Sequence, residues 1–145
     1  MEIRLKKKII FVDDEIFLRE LWKRVLTEEG YEVFAVSTAE ECLEVAETDK
    51  PDLIISDILL PRMDGLTLCE EIRKRESLCD IPIILITGVF KDLAFRSRVD
   101  NSTADAFILK PLEEQQLLSK IQELILKKDA EFGPKLKALA EKIEK

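Results

Sequence analysis

Five short apolar runs, each followed by a segment of helical period, constrain the fold of this chain more than any other feature. The first run, Ile9-Ile10-Phe11-Val12, has no polar alternation, as expected of a strand covered on both faces. The others are Tyr31 to Val36, Leu53-Ile54-Ile55, Ile83-Ile84-Leu85-Ile86 and Ala106-Phe107-Ile108-Leu109. Phe17, Leu18, Leu21, Trp22, Val25 and Leu26 then recur at spacings of three and four, and Gly30 ends that helix as a C-cap. Ser37 with Glu40 reads as a capping box for a second helix, whose apolar side is Cys42, Leu43, Val45 and Ala46. Asp64-Gly65 marks a turn before a third helix, Leu66 to Lys74, and a weaker helix is expected between about Lys91 and Val99. After Pro111 a last helix carries Leu117, Leu118, Ile121, Leu124 and Ile125, with Glu113 and Glu114 at its positive end.

Strand then helix, five times over, predicts an α/β doubly wound fold: a five-stranded parallel sheet with helices on both faces and right-handed crossovers. The common five-strand order of this architecture is 2-1-3-4-5, the flavodoxin-like arrangement. The length, 145 residues, suits one domain, and 46% apolar content excludes a disordered chain. No apolar run approaches the ~20 residues of a membrane span, and the charged N-terminus has no secretory apolar region after it. A cytoplasmic protein with no membrane partner is expected. The net charge of −7 opposes direct binding of nucleic acid by this domain. Cys42, Cys69 and Cys79 are odd in number and widely spaced, so reduced thiols are expected. Histidine is absent, which removes Ser-His-Asp and Cys-His catalysis, His-ligated zinc and a phosphohistidine on this chain.

The unusual polar residues fall at the carboxyl ends of the strands. Asp13 and Asp14 follow the first, Asp57 ends the third, Thr87 the fourth and Lys110 the fifth. In the order 2-1-3-4-5 those four strands are neighbours, so their ends share one rim beside the switch point where ligands bind. Singly, such an Asp is a turn residue, such a Thr a β-former and such a Lys a solvated charge; together they make a site. Two like charges ~4 Å apart repel by about 4 kcal/mol at an effective dielectric of ~20, so one carboxylate keeps a proton or a cation sits among them. Oxygen ligands favour magnesium, manganese or calcium, and a partly hydrated magnesium ion suits phosphate. A nucleophilic carboxylate, a divalent cation, a lysine and a hydroxyl are the components of phosphoryl transfer to an aspartate.

Asp13-Asp14, the stretch from Asp57 to Gly65 (Asp-Ile-Leu-Leu-Pro-Arg-Met-Asp-Gly), Ile86-Thr87-Gly88 and Lys110-Pro111 resemble the receiver domains of two-component signalling, chemotaxis regulators among them. The resemblance runs from about Lys7 to Lys128. It implies a response regulator receiver with Asp57 as phosphoacceptor. It also implies Asp14 and Asp57 as metal ligands with the backbone carbonyl of Leu59, and Asp13 positioning the metal through water. The metal implied is Mg2+, with Mn2+ as an alternative. Thr87 resembles the hydroxyl that moves to the new phosphoryl group, Lys110 the lysine that pairs with it, and Phe107 the aromatic switch. The Lys110-Pro111 bond is expected to be cis. The implied partners are a sensor histidine kinase or histidine phosphotransfer protein as donor, and a downstream target or output domain. Such a chain is a signalling phosphoacceptor, not an enzyme that turns over other substrates.

Three features depart from the family pattern. Thr103-Ala104 stands where Gly-Ala is common, which alters the loop before the last strand. Phe107 lacks the hydroxyl of the frequent tyrosine. Leu59 and Val89 are apolar where polar residues are common, and apolar cover implies a long-lived acyl phosphate.

Residues 1–128 are read as the receiver. Residues 129–145, punctuated by Phe132-Gly133-Pro134 and carrying Leu136, Leu139, Ala140 and Ile143 at helical spacing, are a tail. The tail reads either as a short amphipathic helix, packed or frayed, or as a linker or interaction segment. Other readings fare worse. A haloacid-dehalogenase-type phosphatase needs a second Asp where Leu59 stands, and a flavin carrier's phosphate would be repelled by Asp13-Asp14-Glu15. A receiver-like module without phosphorylation leaves the five convergent side chains without a purpose.

Overall fold

The computed structural model describes residues 6–88 and 92–144. The chain divides into two compact units, Met1–Leu112 and Glu113–Lys145. In the first unit strands and helices alternate: β1 (Lys8–Val12), α1 (Ile16–Glu28), β2 (Glu32–Val36), α2 (Ala39–Asp49), β3 (Leu53–Asp57), α3 (Gly65–Lys74), β4 (Ile83–Thr87), α4 (Leu93–Asp100) and β5 (Ala106–Leu109). Every pairing is parallel and the order is β2-β1-β3-β4-β5, as the alternation of elements predicts.

Register explains why the strands are apolar throughout. Ile10, Ile54 and Ile83 stand side by side, and one step on Val12, Ser56, Leu85 and Phe107 do the same. Most of these pack with Cys42, Leu43 and Ala46 of α2 and Leu68, Cys69 and Ile72 of α3. The alternate residues Ile9, Phe11, Ile55, Ile84 and Ile86 are equally buried, on the side where α1 lies against β1 and β2 and supplies Trp22 and Leu26. Each fully buried aliphatic side chain is worth roughly 1.5–3 kcal/mol, so doubly covered strands outweigh the helices' own propensities in holding the unit.

Helix ends show where local chemistry sets boundaries. After α1 the chain closes a Schellman motif: Gly30 N–H donates to the Thr27 carbonyl (3.0 Å), Tyr31 N–H to the Leu26 carbonyl (3.2 Å), and Gly30 takes φ +100°. The cap of α2 differs from the expected one. Thr38, not Ser37, is the N-cap, its hydroxyl accepting from Glu41 N–H at 3.1 Å, while Ser37 Oγ donates to the Glu41 carboxylate at 2.8 Å. The box is shifted by one residue because Thr38 has the extended backbone that a cap requires. Asp64, read as part of a turn, is the N-cap of α3 and accepts from Thr67 N–H at 2.8 Å.

The second unit is one helix, α5 (Glu114–Glu144). The punctuation read at Gly133-Pro134 does not end it. A proline removes one backbone donor, and the Lys-, Leu-, Ala- and Glu-rich flanks favour helix on either side.

The loop before β5 is organised by Arg73. Its guanidinium donates to the carbonyls of Cys79 (3.0 Å), Ile81 (2.6 Å) and Thr103 (3.0 Å) and to the Asp105 carboxylate (2.9 Å), which also accepts from Ile83 N–H (2.8 Å). The Thr103 hydroxyl meets the buried Cys69 thiol at 3.6 Å. Thr103 thus has polar partners at both its carbonyl and its hydroxyl. Arg73→Met should cost about 1.5–3 kcal/mol, read as a lower urea midpoint with unchanged slope. A loss below about 0.5 kcal/mol would mean that these loops are held by something else.

Candidate active site at the rim of the sheet

The site is built where strands end. Asp13 extends β1 by one ladder bond, its N–H donating to the Val36 carbonyl at 3.1 Å. Its carboxylate then accepts from Glu15 N–H at 2.9 Å and turns the chain into α1, while its carbonyl accepts from Arg19 at 2.9 Å. Asp57 closes β3 opposite Ile86. One of its carboxylate oxygens accepts from Leu59 N–H at 3.0 Å, and the other pairs with Lys110 Nζ at 2.5 Å. Lys110 is delivered by β5, its N–H donating to the Thr87 carbonyl at 2.7 Å. The Lys110-Pro111 bond is cis.

Asp13 and Asp57 are each only 4% exposed. Burial raises the pKa of Asp13; the Glu15 N–H works against this, and the Asp57 charge adds to the rise. For Lys110, burial disfavours the charge, but the hydrogen bond it donates to Asp57 and the fields of Asp57, Asp13 and Glu15 outweigh it and raise its pKa. Three carboxylates therefore act on one ammonium, and the cluster is short of positive charge.

Four of the expected residues converge here. Asp13, Asp57 and Lys110 share one electrostatic cluster, and Thr87 is joined to Lys110 through the backbone. The Thr87 hydroxyl is buried and donates to the Gly88 carbonyl at 3.3 Å, not to Asp57. Asp14 is exposed on the same loop and makes no hydrogen bond or ion pair with the described residues. Leu59 presents its N–H to Asp57 and its side chain, 68% exposed, to solvent. Phe107 is half-buried against the core between the sheet, α2 and α3. Val89 lies outside the described residues.

Among the described residues no three acidic or cysteine side chains form a ready-made metal cage. Paired buried carboxylates short of positive charge nevertheless fit a hard, partly hydrated cation held by few protein oxygens. A cavity of about 520 Å³, walled by Leu18, Leu21, Trp22, Ile86 and Pro111, reaches Asp13 and Lys110.

Gly65 also belongs to the site. A Cβ there would lie 2.5 Å from the Asp57 carbonyl oxygen and 2.9 Å from Ile58 Cα, so only glycine lets α3 begin this close behind Asp57. Asp64-Gly65 was visible in the sequence as a turn, but not this contact. The supports from Glu15 and Arg19 left no sequence signal beyond helical spacing.

The response regulator receiver domain family matches residues 9–122. A probable transcriptional regulator ycf27 of Cyanophora paradoxa is 38% identical over 125 residues, 86% of this chain and 50% of that protein. The alkaline phosphatase synthesis transcriptional regulatory protein PhoP of Bacillus subtilis is 34% identical over 122 residues, 83% of this chain and 49% of that protein. The chain thus spans about half the length of the curated relatives it matches. Among solved structures, a CheY-like response regulator receiver domain protein of Methanospirillum hungatei is similar at TM-score 0.79 and 35% identity, over 88% of this chain and 99% of that one.

Asp13→Asn tests the charge imbalance. The pKa of Asp13 is raised in the fold, so its ionisation costs stability at neutral pH, and that cost fades as pH falls through the raised value toward the ordinary carboxylate range. In chelator the variant should be more stable than the parent at neutral pH, by on the order of 1 kcal/mol, with the gap closing in acid. Equal stability at neutral pH would contradict the imbalance.

Proposed function

Because the chain belongs to the response regulator receiver family, we propose that Asp57 receives a phosphoryl group from a phosphohistidine on a partner and that the new charge switches the surface around α4 and β5. The observation that carries the reading is a buried carboxylate whose two oxygens are held by Leu59 N–H and Lys110 Nζ.

An Asp57 oxygen attacks phosphorus and the bond to the donor's imidazole nitrogen breaks. Lys110 follows the negative charge from the carboxylate to the phosphoryl oxygens. Thr87 turns its hydroxyl from Gly88 to the phosphoryl group, and Phe107 packs further inward. Asp13, Asp14 and Asp57, with the Leu59 carbonyl, are the groups that would hold Mg2+, with Mn2+ as the alternative. When bound, the ion offsets charge on the phosphoryl oxygens. The chain promotes its own phosphorylation and dephosphorylation and no other turnover.

The donor is a sensor histidine kinase or a histidine phosphotransfer protein. Ile16 and Phe17, 68% and 74% exposed at the start of α1 beside the acidic loop, support a protein surface docking there. Residues 1–128 act as the receiver and 129–145 as a helical linker or interaction segment. A downstream protein or output domain reads the switch; the names and the double length of the relatives support an output in transcription. Among the described residues no helix is long and apolar enough to cross a membrane, and the three cysteines are unpaired, which supports a cytoplasmic setting.

Asp57→Asn should keep the fold and lose all acid-labile phosphate after incubation with a phosphorylated histidine kinase; label retained in that variant would refute the assignment. Leu59→Asn should hasten hydrolysis of the acyl phosphate several-fold by admitting water. An unchanged lifetime would remove the shielding role of Leu59.

A further inference from the structure

We propose that the ion pair between Arg98 and Asp64 is a latch that holds α4 in its unphosphorylated position and opens when Asp57 is occupied. This rests on the phosphoacceptor reading and adds the element through which occupancy leaves the site.

The first support is how little of α4 is buried. It has no buried residue, and only Phe95 and Val99 pack partly against the core. Arg98 supplies a directed attachment. Its guanidinium donates to both Asp64 carboxylate oxygens, at 2.9 and 3.2 Å, and to the Thr67 hydroxyl at 3.3 Å. Burial alone would raise the Asp64 pKa, but the hydrogen bonds from Arg98 and Thr67 lower it below the usual carboxylate value.

The second support is that the Asp64 end of the bridge is tied to the backbone of the residue the reaction modifies. Asp64 caps α3, and the next residue, Gly65, donates to the Ile58 carbonyl at 2.8 Å and rests on the Asp57 backbone. A shift of Asp57 and Ile58 has no slack to dissipate in and passes to the start of α3.

The third support is strength. The two side chains are 46% and 28% exposed, so the bridge is a modest one, strong enough to bias a helix with little packing and weak enough for a phosphoryl group to open. Coupling is reciprocal: if occupancy of Asp57 weakens the latch, removing the latch must strengthen occupancy by the same factor.

Beryllofluoride with Mg2+ imitates the phosphoryl group on an aspartate, and its binding to the full chain can be titrated by fluorine NMR. Arg98→Ala should bind it roughly two- to five-fold tighter than the parent, and Arg98→Lys, which keeps the charge without the fork, should fall between them. Asp64→Asn, which still caps α3, should also bind tighter, and the double variant should gain nothing beyond the larger single effect. Unchanged or weaker binding in Arg98→Ala, or additive gains in the double variant, overturns the latch. If the parent itself binds no beryllofluoride, the phosphoacceptor reading fails and the latch falls with it.

Discussion

Burying Asp57 next to Lys110 is the interaction on which the rest of this structure depends. A carboxylate that is 4% exposed needs compensation, and the chain provides it with one ammonium and one backbone N–H. Asp13, equally buried, brings a second negative charge into the same space and Glu15 a third field. One lysine does not balance them. That shortfall is what supports the proposal of a divalent ion and an incoming phosphoryl group at this rim.

The fold explains how so few residues suffice. A parallel sheet points all its strand ends one way, so β1, β3, β4 and β5 deliver Asp13, Asp57, Thr87 and Lys110 to one rim with no long loop required. The same geometry ties the rim to the periphery. Gly65 lets α3 start against the Asp57 backbone, Asp64 caps that helix, and Arg98 holds α4 to the cap. Local charge at Asp57 is therefore linked by contiguous hydrogen bonds to a helix with little packing of its own.

Much of this was legible in the amino-acid order because it depends on pattern. Ile83-Ile84-Leu85-Ile86 reads as a strand buried on both faces, and the polar residues after four of the five strands place Asp57 and Lys110 on one rim. What escaped depends on contacts distant in sequence or on the conformation of one residue. Ser37 and Thr38 are both competent caps, and only the backbone at Thr38 decides between them. The clearance behind Gly65 and the four acceptors of Arg73 join segments that no periodicity connects. Gly133-Pro134 looks like a stop, yet the helical propensity around it carries α5 through. The part assigned to Asp14 came from family resemblance, and its exposed side chain is the least constrained of the group.

The central claim is that buried carboxylates short of positive charge make phosphorylation of Asp57 depend on a divalent cation. Intact mass spectrometry of the chain after exposure to a small acyl-phosphate donor, in Mg2+ and in chelator, tests it directly. The account predicts one added phosphoryl group in Mg2+, mapping to Asp57, and essentially none in chelator. Equal incorporation in both conditions, or incorporation at another residue, would contradict it.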